Sequence, residues 1–251
     1  MTVTYAVEKG IAVIRLARPP LNTLDVATLD ELLTALERAR EDSGARAVVL
    51  ESGNPRAFSA GVDLLAVRDG GAATFRAMLE RLYLALYDAQ HALGKPSIAA
   101  VEGAARGGGI TLALSCDVIV AGRGASFGYP ELNVGILPGI HFALLPRIVG
   151  RQKAFELLFA GEAFDAAEAH RLGLVARLAV AGGAGESARA LARSVAAKPP
   201  GAVRAAKDAF VRINDAGARA QIAGLVETMA AMIDGPETRA ALDAFLAGQR
   251  L

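Results

Sequence analysis

The 251-residue chain has no tryptophan, a single cysteine, and aromatic residues at only 5% of its length. One cysteine, Cys116, cannot form an intrachain disulfide. It stands in the apolar stretch 112–120, where we expect a buried and unreactive thiol. The shortage of aromatic residues argues against a base-stacking surface for nucleic acid. The sequence also shows no His/Cys cluster with the spacing of a metal site.

The chain also has no large excess of either charge: it contains 27 basic and 26 acidic residues, and its formal net charge is +1. This balance does not favour nucleic acid or an anionic membrane as the main partner. No run of about 18 apolar residues is long enough to cross a membrane, and residues 1–11 lack the apolar core of a signal peptide. We therefore expect a cytoplasmic protein without nucleic-acid or membrane partners.

Strand and helix patterns alternate in the first half of the chain. The predicted strands cover residues 3–7, 11–16, 47–51, 97–101 and 117–121, and the predicted helices cover 26–40, 73–93 and 110–115. Asp25 is the predicted N-cap of the first helix. The strand–helix–strand order occurs twice, which favours an α/β fold with a mainly parallel sheet.

The composition changes after about residue 139, where Ala, Leu, Arg and Glu dominate. Helices are predicted at 151–160, 165–172, 186–197, 201–213, 218–233 and 236–248, with one weak strand at 174–178. We divide the chain into a core, 1–195, that carries the site and a helical C-terminal region, 196–251. The apolar positions of that region exceed the needs of a small isolated bundle, which predicts packing on a neighbouring subunit.

Three segments rich in small residues fall at the ends of predicted strands: AFSAGVDL at 57–64, GAARGGG at 103–109, and FGYPE at 127–131 followed by GILPG at 135–139. Glycine lets a ligand approach the backbone, and amides at a helix N-terminus lack intrahelical partners. Two such amides could form an oxyanion hole. The glycine run alone is equally well explained by close packing of a helix on a strand. It matches neither a phosphate loop nor a dinucleotide fingerprint.

In their order and separation the three segments resemble the crotonase (enoyl-CoA hydratase/isomerase) family. The likeness extends from LNTL at 21–24 to the last predicted helix. The resemblance implies a spiral of ββα units with a helical C-terminal trimerisation region, assembled as a homotrimer or as a hexamer of paired trimers. It implies an acyl-CoA thioester as substrate and no cofactor beyond the coenzyme A of that substrate.

The resemblance also assigns residues to the site. The amides of Ala60 and Gly108 are expected to hold the thioester oxygen. The coenzyme A site is expected to be lined by Ala60, Gly61, Val62, Asp63, Leu64 and Gly108. Read from the residues alone, Asp63 is expected to cap or orient the turn around Ala60.

Two glutamates serve the family hydratases, and here one of the two positions is filled by Glu131 while the other falls on Thr111. Glu131 follows Pro130 in an apolar stretch, where partial burial would raise its pKa toward neutrality. Family isomerases work with a lone glutamate at this position. We therefore predict isomerisation of a 3-enoyl-CoA to a 2-enoyl-CoA, with hydration of a 2-enoyl-CoA as the close rival. Related lyase, decarboxylase or hydrolase chemistry and a non-catalytic acyl-CoA-binding scaffold stay open.

Five other residues have two interpretations each. Arg106 is expected in a surface salt bridge or, alternatively, against an anionic acyl group. His141 is expected on a helix surface or internally satisfied, with an extra acid/base near the acyl pocket as the alternative. Arg204, Lys207 and Arg250 could reach coenzyme A phosphates, including across a subunit interface, or could simply be solvated.

Overall fold

Two β-sheets form the centre of the computed structural model, which describes residues 1–248. Their strands are β1 (Val3–Glu8), β2 (Ile11–Leu16), β3 (Ala47–Ser52), β4 (Ala57–Ser59), β5 (Ser97–Val101), β6 (Ala104–Arg106), β7 (Val118–Gly122), β8 (Ser126–Gly128), β9 (Phe164–Asp165) and β10 (Arg177–Ala179). The large sheet has the order β1-β2-β3-β5-β7-β10, and the small one has the order β4-β6-β8-β9. Except for the β1/β2 hairpin and the β8/β9 pair, neighbouring strands are parallel.

The predicted strands of the large sheet are confirmed except the last, which covers Arg177–Ala179 instead of 174–178. Leu174 and Val175 precede it as buried loop residues, so their apolar character reports core packing and not strand pairing. The small sheet was not predicted. Its strands have two or three residues, too few for an alternating pattern to be read.

Eleven α-helices lie within the described residues: α1 (Val26–Glu41), α2 (Leu64–Leu79), α3 (Leu86–Ala92), α4 (Gly108–Ser115), α5 (Gly139–Val149), α6 (Arg151–Ala160), α7 (Ala166–Arg171), α8 (Ala184–Ala196), α9 (Pro200–Asn214), α10 (Ala218–Met232) and α11 (Pro236–Gly248). A π-helical turn, Glu80–Ala85, joins α2 to α3, and a 3-10 turn, Pro130–Val134, precedes α5. Asp25 caps α1 as predicted, accepting a hydrogen bond from the Thr28 amide at 2.8 Å.

The helix predicted at 73–93 begins earlier, at Leu64, and is not regular. Gly71 has φ +61° and ψ −157°, so the chain kinks within α2, and the pattern before this kink was not recognised as helical. Helix α5 was missed because Gly139 and Pro146 both disfavour a helix in isolation, and it is stabilised by packing on α6 and α10.

The large sheet is covered on both faces, as its continuous apolar strands require. One face packs on α1 and α4, with α2, α3, α5 and α10 completing the same core beyond them, and the other face packs on α8 through Ala184, Ala188 and Ala192. The predicted boundary at residue 195 falls at the end of α8. Beyond it, α10 lies against α2 and α5. No helix in residues 1–248 is long and apolar enough to span a membrane.

The successive units β3-β4-α2 and β5-β6-α4, followed by β7-β8 and the 3-10 turn, wind as the expected spiral of ββα units. In each unit the chain leaves the C-terminal end of a large-sheet strand and enters the small sheet. All three small-residue segments therefore lie at the same edge of the large sheet.

Candidate active site

The site begins where the chain after β4 touches the start of α4. A Cβ atom on Gly61 would lie 2.8 Å from the Arg106 carbonyl oxygen, and one on Gly109 would lie 2.3 Å from the Ser59 carbonyl oxygen. Gly61 also has φ +90°, a conformation that other residues rarely adopt. These glycines permit close backbone packing, and that packing brings two sets of amides together.

The Ala60 amide is not free, which corrects its predicted place in the oxyanion hole. Its N–H donates to the Leu21 carbonyl at 3.0 Å. Three residues further on, the Asp63 amide donates to the Leu24 carbonyl at 2.9 Å, and the Leu24 amide donates to the Gly61 carbonyl at 2.8 Å. These two bonds form an isolated parallel bridge between Leu24 and Val62, in which Gly61 and Asp63 make the contacts and the Val62 amide points to the other side.

The Val62 and Gly108 amides are the two that lack an acceptor at this contact among residues 1–248. Gly108 is the first residue of α4, where an N–H has no intrahelical partner. A Cβ atom on Gly108 would lie 3.3 Å from the Val62 nitrogen, so the two amides are neighbours. Together they can bind one oxygen that carries negative charge.

The Glu131 carboxyl lies beside these amides, against Gly107. A Cβ atom on Gly107 would lie 3.0 Å from Glu131 Oε1, and Glu131 Oε2 is buried without a hydrogen-bond partner in the described chain. Burial raises the pKa of Glu131 from 4.5 to about 7, only partly offset by a backbone hydrogen bond. Near neutral pH this carboxyl can therefore both accept and return a proton.

Thr111 and His141 form a buried hydrogen-bonded pair next to this carboxyl. Thr111 Oγ1 and His141 Nε2 are 3.1 Å apart, and His141 is fully enclosed. Burial lowers the pKa of His141 to about 3, although the Gly107 carbonyl acts in the opposite direction. The ring is thus neutral, and its Nδ1 has no partner in residues 1–248. The interpretation of His141 as a helix-surface residue is wrong, because the ring is fully buried. The alternative of an internally satisfied histidine holds for Nε2, which is bonded to Thr111. The low pKa also makes His141 a hydrogen-bonding group and not an acid at neutral pH.

Two tyrosines at the site were not predicted. The Tyr129 ring meets His141 edge-on, with centroids 4.6 Å apart, and its buried Oη has no partner among the described residues. Tyr83 comes from the π-helical turn, and burial together with the Glu131 charge raises its pKa. A tyrosine directly before Pro130 in a chain of four tyrosines was a usable signal for Tyr129. Nothing in the local pattern reveals the π-helical turn.

The sequence model of the family described as enoyl-CoA hydratase/isomerase matches residues 6–249. The chain belongs to this family. An Escherichia coli relative named 2,3-dehydroadipyl-CoA hydratase is 37% identical over 220 residues, which cover 86% of this chain and 84% of the relative.

Solved structures of the same family match over nearly the whole chain. A crystal structure of an enoyl-CoA hydratase/isomerase from Xanthobacter autotrophicus is 32% identical with a TM-score of 0.88, covering 99% of this chain and 97% of the other. An enoyl-CoA hydratase from Bacillus halodurans is 25% identical with a TM-score of 0.89, covering 97% and 100%. The chain therefore has the crotonase fold.

Two expectations for charged residues of this crotonase have different outcomes. Asp63 caps α2, accepting from the Ala66 amide at 3.1 Å, and pairs with Arg18 at 2.7 Å, which confirms its structural interpretation. Arg106 forms no salt bridge within residues 1–248, so that prediction is wrong. Its guanidinium donates to the Ala105 and Ser126 carbonyls and to Ser126 Oγ at 2.8–3.0 Å. The alternative role of Arg106 against an anionic acyl group stays a prediction.

The candidate phosphate-binding residues do not reach residues 60–64 of their own chain. Lys207 is buried and bonded to Asp117 at 2.9 Å and to the Lys95 carbonyl at 3.0 Å, at the edge of the large sheet opposite the site. Arg204 lies at the same edge, over Gly94. Arg250 lies outside the described residues. Cys116 is buried with its pKa raised to about 12 by burial, which confirms the unreactive thiol.

A cavity of about 760 Å³ runs along α4 in this crotonase. Leu82, Thr111 and Ile140 line its end near the site, and Cys116 and Lys207 line the opposite end. Most of its wall is apolar, as the walls of small-molecule sites usually are.

Proposed function

We propose that this enzyme of the enoyl-CoA hydratase/isomerase family converts 3-enoyl-CoA thioesters into 2-enoyl-CoA thioesters, with Glu131 as the sole acid/base. The observation that carries the proposal is one buried carboxyl with a pKa of about 7 beside two free backbone amides. The position of the other family glutamate is occupied by Thr111, whose hydroxyl is engaged with His141.

In this mechanism the thioester oxygen lies between the Val62 and Gly108 amides. Glu131 removes a proton from C2, and the electron pair of the broken bond moves to the thioester oxygen as a dienolate. The same carboxyl then returns the proton at C4, and the pair moves back to leave the double bond between C2 and C3. The amides stabilise the charged intermediate, and the loss of one such donor typically costs about 3–4 kcal/mol of barrier.

Hydration of a 2-enoyl-CoA is the second candidate function, and two observations favour it. The E. coli relative is named as a hydratase. The Thr111–His141 pair is polar, and Thr111 lies in the first turn of α4, where family hydratases carry their other glutamate. Glu131 would then accept a proton from water and deliver it to C2. A threonine hydroxyl cannot replace a carboxylate as a base, so isomerisation remains the leading proposal.

We further propose that residues 60–64 and Gly108 line the coenzyme A site, with no cofactor beyond the substrate's own coenzyme A. Ala60 contributes there through its position in the loop and not through its amide. The cavity along α4 offers apolar space for the acyl chain beyond Thr111.

For the assembly we propose a homotrimer or a hexamer of paired trimers. On α9, Phe210 and Ile213 are 69% and 73% exposed in the single chain. On α6, Phe155 and Phe159 are stacked with centroids 4.0 Å apart and are about half exposed. Apolar side chains grouped on a surface in this way support a subunit interface, which light scattering of the purified protein would test.

A paired assay tests the reaction. The purified protein receives a 3-enoyl-CoA or a 2-enoyl-CoA, and both products are followed in the native protein, in Glu131→Gln and in Glu156→Gln, an exposed control on α6. Isomerisation that Glu131→Gln abolishes and Glu156→Gln leaves intact supports the proposal. Fast hydration that survives Glu131→Gln contradicts it. Tight thioester binding without turnover of either substrate would favour an acyl-CoA-binding scaffold.

A further inference from the structure

The 3-10 turn Pro130–Val134, which carries Glu131, is held by few contacts of its own. A 3-10 turn has poorer hydrogen-bond geometry than an α-helix, and no side chain caps the start of this one. Within residues 1–248 the Glu131 carboxyl is bonded only to its own backbone amide, and its Oε2 has no partner. The position of this carboxyl is therefore set by the backbone of the turn and by the groups that hold that backbone.

The peptide group between Gly135 and Ile136 closes the turn. The Ile136 amide donates to the Glu131 carbonyl at 3.0 Å, and the Gly135 amide donates to the Glu131 and Leu132 carbonyls. Gly135 has φ +71°, so the turn ends in the left-handed conformation that favours glycine. The backbone of Glu131 is thus fixed by the orientation of one peptide plane, which is itself rigid.

Thr238 of α11 holds the other side of that peptide group. Its Oγ1 donates to the Gly135 carbonyl at 3.2 Å, and the residue is only 6% exposed. A Cβ atom on Gly135 would lie 3.0 Å from Thr238 Cα, so the two backbones are in direct contact. Thr238 and the Glu131 carbonyl therefore bond to opposite sides of one peptide group. Hydrogen bonds linked in this way polarise each other, which strengthens both.

Helix α11 is anchored to the body of the protein, so it can support the turn. Its buried face contains Leu242 and Leu246 in addition to Thr238, at the spacing of one helix face, and the helix packs on α2 as well as on the turn. A second contact from the C-terminal region lies at the start of α5, where a Cβ atom on Gly139 would come 2.4 Å from Met229 Sδ of α10. The segment between the turn and α5 is thus fixed by C-terminal helices at both ends.

We propose that Thr238 is a positioning residue for Glu131, acting through the peptide group that follows Gly135. It does not touch the substrate, and it keeps the Glu131 carboxyl beside the two free amides. The inference rests on the proposed acid/base role of Glu131 and adds a residue of the helical C-terminal region to the site. Without the hydroxyl, the Gly135 carbonyl loses its donor and the turn can move. A displacement of a reacting group by about 1 Å can cost about 10²-fold in rate.

The first measurement is the paired thioester assay in Thr238→Val, which keeps the side-chain shape and removes the hydroxyl. We expect kcat to fall about fivefold, the size of one hydrogen bond, with KM within about twofold because residues 60–64 and Gly108 are untouched. Thr238→Ser keeps the hydroxyl and should hold kcat within about twofold of the native value. The matched control, Thr34→Val, removes an exposed hydroxyl of α1 that donates to the Asp30 carbonyl at 2.8 Å, and it should change neither constant.

The second measurement reports on the surroundings of Glu131. Burial raises the pKa of this carboxyl to about 7, so a turn that moves toward solvent should shift the acid limb of the kcat/KM profile to lower pH in Thr238→Val. The same change should appear without any substrate. The folded native protein binds this proton more tightly than the unfolded chain, so it loses stability as the pH rises through about 7, and Thr238→Val should lose less. A side chain that only adds packing energy would lower the stability equally at every pH.

Native values of kcat and an unshifted pH profile in Thr238→Val overturn the positioning role, and so does a loss of kcat in Thr238→Ser as large as that in Thr238→Val. A native protein that turns over neither thioester overturns the proposed function instead. The pH dependence of unfolding then still decides the inference, and parallel curves for native protein and Thr238→Val contradict it. Should Thr238→Val fold poorly, Thr238→Ala and Thr238→Ser, which differ by one hydroxyl, provide the same comparison.

Discussion

The polar clusters at the two edges of the large sheet differ in how completely their atoms are hydrogen-bonded. At the edge where the strands begin, Lys207, Asp117 and Ser97 form a closed network in which Asp117 accepts from the Lys207 ammonium and from both the amide and the hydroxyl of Ser97. At the edge where the strands end, Glu131, Tyr129 and His141 each keep an atom without a hydrogen-bond partner among residues 1–248. The Lys207–Asp117–Ser97 network completes its contacts within the chain and contributes to stability, whereas the second edge leaves polar atoms that a ligand can bind.

Glu131→Gln should have the largest effect, because it removes the acid/base at the edge where the strands end. An amide cannot carry a proton between carbons, so kcat/KM for isomerisation should fall by about 10³-fold or more.

In the native protein kcat/KM should rise with pH through about 7 as Glu131 loses its proton. A pH–rate profile of the free enzyme checks this, and an acid limb near pH 4.5 would show that the carboxyl is not buried in the working enzyme.

Lys207→Met should lower the stability of the protein through the edge where the strands begin and leave the activity nearly unchanged. It removes the buried Lys207 ammonium and leaves Asp117, whose side chain is 30% exposed, without its cation, and we expect a loss of about 1–3 kcal/mol in the free energy of unfolding. Because Lys207 is remote from Glu131, kcat of the folded protein should stay within about twofold. Denaturant unfolding combined with the isomerisation assay makes the comparison, and Lys153→Met, which loses its pairs with Glu156 and Glu168, is the control.

The ionisation of Glu131 should also appear in stability. Its pKa is raised from 4.5 to about 7 in the folded state, so the folded protein holds this proton more tightly than the unfolded chain. The resulting stabilisation is complete below pH 4.5 and is lost as the pH rises through about 7, by an amount on the order of 3 kcal/mol. Glu131→Gln should lack this slope, so it should gain stability relative to the native protein between pH 5 and pH 8. Unfolding at several pH values measures the difference, and parallel curves for the two proteins would contradict the assignment.

Tyr129→Phe should have the smallest effect on stability and the opposite sign to Lys207→Met. It removes a buried hydroxyl that has no partner in the described chain, so we expect a change between zero and a gain of about 1 kcal/mol. Thermal unfolding without ligand is sufficient to detect it. A clear loss of stability would mean that the hydroxyl is hydrogen-bonded in solution. One fewer polar atom at this edge would then be left for a ligand.

The sequence predicts the parts of the molecule whose signal is local. The apolar runs of β3, β5 and β7 identify a two-faced parallel sheet, and the capping pattern at Asp25 marks the start of α1. Glu131 is found from its flanking motif, and the residues around it suffice to anticipate a raised pKa.

The parts that were wrong depend on distant contacts. Whether Ala60 or Val62 offers its amide is decided by pairing with residues 21–24, nearly forty positions earlier in the chain. Lys207 looks like an ordinary surface lysine until α9 is placed over Lys95 and Asp117. The enclosure of His141 likewise arises from Tyr129 and Thr111, which lie on other elements.

The π-helical turn makes the wall of the site sensitive to chain length. It lets Leu82 pack over Gly108 and Tyr83 lie near Glu131 while α2 keeps its contacts with α10 and α3 keeps its contacts with α1. Deleting one residue within Glu80–Ala85 would permit a regular helix, but it would rotate one half of the helix against the other by about 100°. Efforts to change the acyl chain that this enzyme accepts should therefore replace side chains in the turn and keep its length constant.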